Sequence, residues 1–129
     1  MSTKDPKNMT VLVIEDNDFH VKLIKMVLRG IGVNQVEVKP NGKEAMDYIS
    51  TKGFCFDVIF CDLVMPEMNG LSVLEKVRSM NKTIPFVMVT AKSDVESVLA
   101  AKRLGVTAYV TKPFSPEQLL AKVGNLFGK

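Results

Sequence analysis

The chain has 129 residues, of which 47% are hydrophobic and 24% charged, and its formal net charge is +3. This length fits one domain that hides about two-thirds of the unfolded surface. The modest charge does not indicate direct nucleic-acid binding, and no apolar run reaches the roughly 18 residues that a membrane span requires. With a polar start and no secretory signal, the sequence predicts a cytoplasmic protein without a membrane partner.

Five strand-length apolar segments alternate with helical patterns. The predicted strands cover residues 10–14, 36–38, 56–61, 85–90 and 106–110. Several of them are apolar without alternation, which is typical of a parallel sheet covered on both faces. The helical positions expected to face inward include Phe19, Leu23 and Val27 in the first helix, and Leu119, Leu120 and Val123 in the fifth.

The regular alternation of strand and helix predicts an α/β fold of the (βα)5 type. Right-handed crossovers leave few topologies, and the commonest short one is flavodoxin-like. It is a five-stranded parallel sheet of order 2-1-3-4-5 with helices on both faces. We expect a polar N-terminal tail over residues 1–8 and one domain over residues 9–129.

The two cysteines and the single histidine give no sign of a metal or redox site. Cys55 and Cys61 are six residues apart with no partnering motif, and we interpret both as small buried hydrophobic residues. His20 lies near the apolar stripe of the first helix. It is interpreted as a packed or half-buried side chain rather than a phosphodonor.

Acidic residues follow strands one and three, which are neighbours in the predicted order. Glu15 and Asp16 follow strand one, and Asp62 follows strand three. In open α/β sheets, ligands bind outside the carboxyl ends of the strands where the strand order reverses, so three carboxylates are expected there. Since like charges repel, such a site needs a cation, and acidic oxygens with water suit Mg²⁺. Surface acids in unrelated loops are the alternative.

The last two strands end in groups that can bind phosphoryl oxygens. Thr90 ends strand four, and Lys112 follows strand five. A hydroxyl, an ammonium and a divalent cation can each engage one equatorial oxygen during phosphoryl transfer, with Asp62 as the nucleophile that forms an acyl phosphate. Taken singly, Asp62 could start a turn, Thr90 could be structural and Lys112 a solvated charge. Their shared place at strand ends favours the phosphoryl site.

The sequence resembles the receiver domain of two-component response regulators in five motifs that occur in order. These are Glu15–Asp16, Asp62, the following MPEMNG, Thr90–Ala91 and Lys112–Pro113. The resemblance extends from about Thr10 to Leu126 and implies a CheY-like, single-domain receiver over residues 9–129. It implies that a sensor histidine kinase or phosphotransfer protein phosphorylates Asp62. The chain would then catalyse only its own phosphotransfer and dephosphorylation, and would not be an enzyme otherwise.

The resemblance also implies the residues of the metal site. The implied Mg²⁺ ligands are Asp16, Asp62 and the backbone carbonyl of Val64, with Glu15 acting through water. Thr90 and Lys112 would contact the phosphoryl group. The Lys112–Pro113 peptide bond would be cis, which only prolyl bonds tolerate at low cost.

A switch between two packing arrangements is a further implication of the resemblance. Thr90 would move toward the phosphoryl group, and Tyr109 would turn inward behind it. A downstream protein would bind the face of helix four, strand five and helix five, around Val95, Val98, Leu99, Tyr109 and Lys122. Ordinary core packing is the alternative for the apolar members. With almost nothing after helix five, the chain, if complete, would act through another protein, and chemotaxis is one pathway compatible with this.

Three positions differ from the best-known chemotaxis receivers. Val64 is apolar where those proteins often carry a polar side chain, and Lys92 is basic where an acid is common. Because an aliphatic group cannot orient the attacking water, we expect a longer-lived phosphoaspartate than in those proteins. Leu63 replaces a common aromatic residue, so a flagellar-motor partner is not carried over.

Two other functions share parts of the pattern. A haloacid-dehalogenase-like, Mg²⁺-dependent phosphatase also uses an Asp nucleophile, but it normally needs a second Asp two residues later, where this chain has Val64. A flavodoxin-type electron carrier needs a phosphate loop rich in Ser, Thr and Gly after strand one. The acidic segment EDNDFH (15–20) would instead repel the flavin phosphate.

Overall fold

The computed structural model describes residues 4–128, in which strands and helices alternate as predicted. The strands are β1 (Thr10–Ile14), β2 (Gln35–Lys39), β3 (Val58–Cys61), β4 (Phe86–Thr90) and β5 (Ala108–Thr111). The α-helices are α1 (Asp18–Gly30), α2 (Gly42–Lys52), α3 (Gly70–Met80), α4 (Val95–Arg103) and α5 (Pro116–Val123). Short 3₁₀ helices at Pro6–Asn8 and Gly124–Phe127 precede β1 and follow α5.

The strands form one parallel sheet of order β2-β1-β3-β4-β5, which confirms the predicted topology. In the centre, Val11 of β1 lies opposite Val36 of β2 and Val58 of β3. Because every pairing is parallel, the carboxyl ends of all five strands meet at one edge of the sheet. This edge is where a ligand site is expected.

Alternate residues of the central strands pack into two separate hydrophobic clusters. Val11 and Val13 belong to the cluster that contains the buried residues of α1 and α5. Leu12 and Ile14 belong to the cluster that α2, α3 and α4 share. The sheet is therefore covered on both faces, as the continuous apolar strands predicted. Among the helices of residues 4–128, none combines the length and the apolar character needed to cross a membrane.

Polar side chains fix the start of every α-helix. The N-cap residues are Asn17, Asn41, Asn69, Asp94 and Ser115. Each accepts a hydrogen bond from the backbone N–H three residues further on, which satisfies a donor that the helix leaves free. At α5 the side-chain oxygen of Gln118 also accepts a hydrogen bond from the N–H of Ser115, which completes a capping box. The loops at the carboxyl edge are thereby anchored where they enter the helices.

Two predictions about inward-facing residues are wrong. Phe19 is 70% exposed, because the buried stripe of α1 runs through Val21 and Ile24 and not through its first turn. Leu120 is 37% exposed, because it is rotated by about 100° around the helix from the buried Leu119. An apolar residue on a helix is thus not always on the buried face.

The cysteine interpretation is correct for only one of the two residues. Cys61 is buried in β3, whereas Cys55 is exposed in the connection between α2 and β3, where its Sγ lies 3.5 Å from the hydroxyl of Tyr48. Both thiols are free. His20 is half-buried as predicted, and its ring meets that of Phe19 edge-on.

The described part of the predicted N-terminal tail contacts the domain. The ammonium of Lys4 lies 3.1 Å from the carboxylate of Asp57, and Pro6 begins the first 3₁₀ helix. Residues 1–3 and 129 lie outside the described residues. The division into a tail over 1–8 and a domain over 9–129 therefore stays a prediction.

Candidate functional site

Asp62 follows β3 directly and forms hydrogen bonds with backbone groups of β1 and of the loop after β3. Its backbone N–H donates to the carbonyl of Ile14 at 3.0 Å, which extends the pairing of β3 with β1. In the side chain, Oδ1 accepts a hydrogen bond from the N–H of Val64 at 3.1 Å. The residue is 9% exposed. One carboxylate oxygen is therefore fixed by the main chain, and the other is left for a charged partner.

Lys112 is that partner, and it is shared by two acids. Its Nζ lies 3.1 Å from Oδ2 of Asp62 and 2.6 Å from Oε1 of Glu15. The three side chains are buried. The exposed fraction of the side chain alone is 8% for Lys112, 12% for Asp62 and 3% for Glu15. Two carboxylates and one ammonium leave an excess negative charge in a desolvated site. Such a charge is unfavourable unless a further cation is near.

The surroundings of Glu15 shift the pKa of its carboxyl upward. Burial raises the pKa of its carboxyl, and the negative charge of Asp62 adds to the increase. The hydrogen bond and the charge of Lys112 act in the opposite direction, as does the N–H of Asn17, which donates to Oε2 at 3.2 Å. Burial also raises the pKa of the adjacent Cys61 thiol well above its usual value, and the charges of Asp62 and Glu15 add to this. Cys61 therefore stays a neutral thiol.

The oxygen donors at this edge suit a hard divalent cation. Glu15 and Asp62 share the ammonium of Lys112, and Asp16, the residue after Glu15, is exposed. Carboxylate and carbonyl oxygens are the ligands that Mg²⁺ prefers. Within residues 4–128, no three or more His, Cys, Asp and Glu side chains form a ready cluster for a metal.

Thr90 reaches the same edge through the pairing of β4 with β5. It lies opposite Thr111, and its carbonyl accepts a hydrogen bond from the N–H of Lys112 at 2.8 Å. Its side chain is fully buried, and Oγ1 accepts from the N–H of Lys92 at 3.2 Å. The hydroxyl proton remains free to donate. The Lys112–Pro113 peptide bond is cis, as the resemblance implied.

The residues predicted for the output face share one surface. Val98, Tyr109 and Lys122 line a groove of about 540 Å³ between α4, β5 and α5. The hydroxyl of Tyr109 donates to the carbonyl of Lys92. Burial raises the pKa of Tyr109, and so do the negative charges of Asp94 and Asp62. Beside the groove, Val95 is 71% exposed, so packing in the core does not explain this apolar residue.

Sequence reasoning missed the main-chain contacts that support the site. The N–H groups of Asn17 and Val64 hold the two acids, and Gly70 approaches the backbone of Asp62 too closely for any other residue. A signal for the glycine contact was available. The dipeptide Asn-Gly occurs twice, and both copies stand at the start of a predicted helix.

Comparison with known proteins identifies the family. The family model described as the response regulator receiver domain matches residues 11–124. The chain belongs to this family. The chemotaxis protein CheY homolog of Campylobacter jejuni is 36% identical over 122 residues, which cover 93% of this chain and 93% of that protein.

This chain is also similar to a transcriptional regulatory protein and to a second chemotaxis protein. The transcriptional regulatory protein ZraR of Escherichia coli is 32% identical over 114 residues, or 88% of this chain. This chain spans only about a quarter, 25%, of ZraR. The solved structure of chemotaxis response regulator CheY4 of Vibrio cholerae has a TM-score of 0.79 at 32% identity, and the match covers 92% of this chain and 98% of that one.

Membership of this family fixes the general function. A receiver domain is a phosphorylation-activated signalling switch rather than a conventional enzyme, and the sheet order of this chain is that of CheY-like receivers. The phosphatase and the flavodoxin-type electron carrier are thereby set aside as alternatives.

Proposed function

We propose that this receiver domain accepts a phosphoryl group on Asp62 from a sensor histidine kinase or a phosphotransfer protein and then signals by binding a downstream protein. The observation that carries the proposal is the contact between Lys112 and Asp62, a buried ammonium 3.1 Å from a carboxylate at a strand end. The other carboxylate oxygen is held by the Val64 N–H. A fixed carboxylate beside a cation is what a phosphoacceptor requires.

In the proposed transfer, the carboxylate of Asp62 attacks the phosphorus of the donor. A bond between carboxylate oxygen and phosphorus forms as the bond to the donor breaks, and the leaving group takes that electron pair. Lys112 would hold one phosphoryl oxygen through Nζ and offset the negative charge that gathers there. The hydroxyl of Thr90 would donate to a second oxygen, because its bond from the Lys92 N–H leaves its own proton available.

Mg²⁺ is part of the proposal, since the receiver family binds it at the phosphorylation site. Asp16, Asp62 and the backbone carbonyl of Val64 would hold the ion, with Glu15 acting through water. When bound, it would neutralise charge on the phosphoryl oxygens. The excess of carboxylates over the ammonium of Lys112 supports this assignment.

A backbone link joins the proposed site to the output groove. Lys92 donates its N–H to Thr90 and accepts the hydroxyl of Tyr109 on its carbonyl. A shift of Thr90 toward a phosphoryl group would therefore act on the segment that holds Tyr109. Such a local change can bias an element that has two packing arrangements.

The downstream partner is proposed to be a protein, and neither nucleic acid nor membrane. The charged residues that line the groove are Lys102 and Lys122, and exposed apolar residues lie beside them. Charge complementarity favours an acidic segment with apolar anchors. Because the CheY homolog of Campylobacter jejuni and CheY4 of Vibrio cholerae are both named chemotaxis proteins, chemotaxis is the pathway to test first.

Intact-mass measurement tests the proposal. The wild type is incubated with Mg²⁺ and acetyl phosphate and should gain the mass of one phosphoryl group, whereas Asp62→Asn should gain none. Asp57→Asn is the matched control, because Asp57 precedes the same strand and bonds to Thr10 and Lys4 instead of the site. It should be phosphorylated like the wild type, and chelation of Mg²⁺ should stop the gain. Equal gain in Asp62→Asn would contradict the proposal.

A further inference from the structure

The dipeptide Asn-Gly begins both α2 and α3. Asn41 and Asn69 are the N-caps, and Gly42 and Gly70 are the first helical residues. Glycine is a poor helix former, and neither glycine has a positive φ that would require it. The reason for glycine at these two positions must therefore lie in what surrounds them.

Lack of space explains Gly70. A Cβ atom there would lie 2.4 Å from the carbonyl oxygen of Asp62 and 2.8 Å from Cα of Leu63. Both neighbours are backbone atoms, which cannot rotate away as a flexible side chain can. The N–H of Gly70 also donates to the carbonyl of Leu63 at 2.8 Å. The first residue of α3 is thus in direct contact with the main chain of the proposed phosphoacceptor.

Gly42 makes a similar close contact from α2. A Cβ atom there would lie 2.8 Å from Cγ2 of Val73 and 3.0 Å from the carbonyl oxygen of Met68. Val73 is fully buried in α3, and Met68 lies in the loop between β3 and α3. The start of α2 therefore packs against this loop and against α3.

The loop between these two contacts carries the main-chain groups of the site. The N–H of Val64 donates to Oδ1 of Asp62, and its carbonyl is the proposed metal ligand. Val64 is 62% exposed, while Leu63 and Met65 on either side are buried. The position of Val64 thus depends on how the whole loop is packed.

We propose that Gly42 and Gly70 are positioning residues, which allow α2 and α3 to approach the β3–α3 loop closely enough to hold the main chain of Val64 against Asp62. The inference rests on the proposed function, since the group that is positioned is the phosphoacceptor. Gly70 acts by direct contact with Asp62, and Gly42 acts one step away through Met68. Alanine at either position should displace the site, and the effect should be larger at Gly70.

The test compares Gly42→Ala and Gly70→Ala with the control Gly30→Ala. Gly30 also belongs to a helix and has an ordinary φ, but nothing lies within 4 Å of an added Cβ. The phosphorylation rate with acetyl phosphate is followed by intact mass over a series of Mg²⁺ concentrations. Because a displacement of about 1 Å can cost roughly 100-fold in rate, we expect about a tenfold loss for Gly42→Ala and roughly 100-fold for Gly70→Ala. Gly30→Ala should match the wild type.

Two readouts separate positioning from a general loss of folded protein. A positioning role raises the Mg²⁺ concentration at half-maximal rate and shifts the amide resonance of Val64, which is measured without any phosphodonor. Adding Val73→Ala to Gly42→Ala removes the 2.8 Å contact with Val73 and gives the added methyl group room to move away from the Met68 carbonyl. Both quantities should then return part of the way toward wild type. A merely structural role lowers the fraction of molecules that take phosphate and leaves both quantities unchanged.

The inference is overturned if Gly42→Ala equals Gly30→Ala in rate, Mg²⁺ dependence and Val64 resonance. It is also overturned if Gly42→Ala only lowers the fraction of active molecules. If Gly70→Ala does not fold, Gly42→Ala and its rescue by Val73→Ala decide the matter. If the wild type takes no phosphate, the proposed function fails. The resonance of Val64 in Gly42→Ala still decides whether the glycine positions the loop.

Discussion

The β3–α3 and β4–α4 segments leave the same edge of the sheet but are packed very differently. The first buries Leu63 and Met65 and is bounded by glycine contacts. The second leads into α4, which buries only Ser97 and Ala101 and leaves Val95 71% exposed. A phosphoacceptor must be held in place, whereas an output element must be free to change its packing. This contrast suits the proposed roles, with chemistry at the β3–α3 segment (the tight segment) and readout at the β4–α4 segment together with α4 (the loose segment).

Lys112, which contacts Asp62 at the start of the tight segment, and Lys92 in the loose segment should differ most in their effect on stability. Lys112→Met leaves two buried carboxylates without their ammonium, which should lower the free energy of unfolding at neutral pH by about 3–5 kcal/mol. Lys92→Met breaks only the 3.5 Å ion pair with Asp94, in which both side chains are about half exposed. Since exposed ion pairs are weak, stability should barely change. Urea unfolding measures both, and similar losses would contradict the contrast.

Val64 is 62% exposed, so replacing its side chain should leave the packing of the tight segment intact. A substitution there can therefore change the chemistry at Asp62 alone. In Val64→Asn, the amide can orient the water that attacks the phosphoaspartate. One hydrogen bond is worth about 1 kcal/mol, so decay should be about five- to tenfold faster than in the wild type. Val64→Ala is the control and should decay as slowly as the wild type. Wild-type decay as fast as that of the Asn variant would contradict the prediction.

The smallest expected effect concerns the start of α4, where Asp94 is the N-cap. Hydrogen bonds from the hydroxyl and the N–H of Ser97 lower the pKa of Asp94 from its ordinary 3.8, and the charge of Lys92 adds to this. Because the folded-state pKa is the lower one, the stabilising effect is complete above 3.8 and is lost as the pH falls through the folded-state pKa. Asp94→Asn keeps a capping oxygen but does not titrate.

The check is the difference in unfolding free energy between the wild type and Asp94→Asn, measured at neutral pH and below pH 3.8. On acidification the wild type should lose stability relative to Asp94→Asn. A difference that does not depend on pH would show that the charge of Asp94 does not stabilise α4.

The fold and the meeting of the site residues could be predicted because both depend on chain order. Continuous apolar strands indicate a parallel sheet, and parallel strands bring their carboxyl ends to one edge. Glu15, Asp62 and Lys112 are in contact there, as that reasoning requires, and Thr90 is joined to Lys112 through the main chain. The roles assigned to these residues, and the metal, stay predictions.

What could not be predicted depends on contacts between elements that are distant in sequence. A periodic pattern shows which residues share a helix face but not how far the neighbouring sheet covers that face, so Phe19 and Leu120 were misplaced. The pattern likewise does not show that α2 reaches the β3–α3 loop, which leaves no room at Gly42. Cys55 was wrongly predicted to be buried, because its apolar neighbours in the sequence do not cover it in the structure.

Amide hydrogen exchange, measured with and without phosphorylation, shows whether a phosphoryl group on Asp62 in the tight segment changes the packing of the loose segment. The wild type and Asp62→Asn are compared in Mg²⁺ with and without acetyl phosphate. We expect exchange to change in α4 and the β4–α4 loop of the phosphorylated wild type, with much smaller changes in β3 and no change in Asp62→Asn. Unaltered exchange in α4 of a protein whose mass shows a phosphoryl group on Asp62, or the same change in Asp62→Asn, would contradict it.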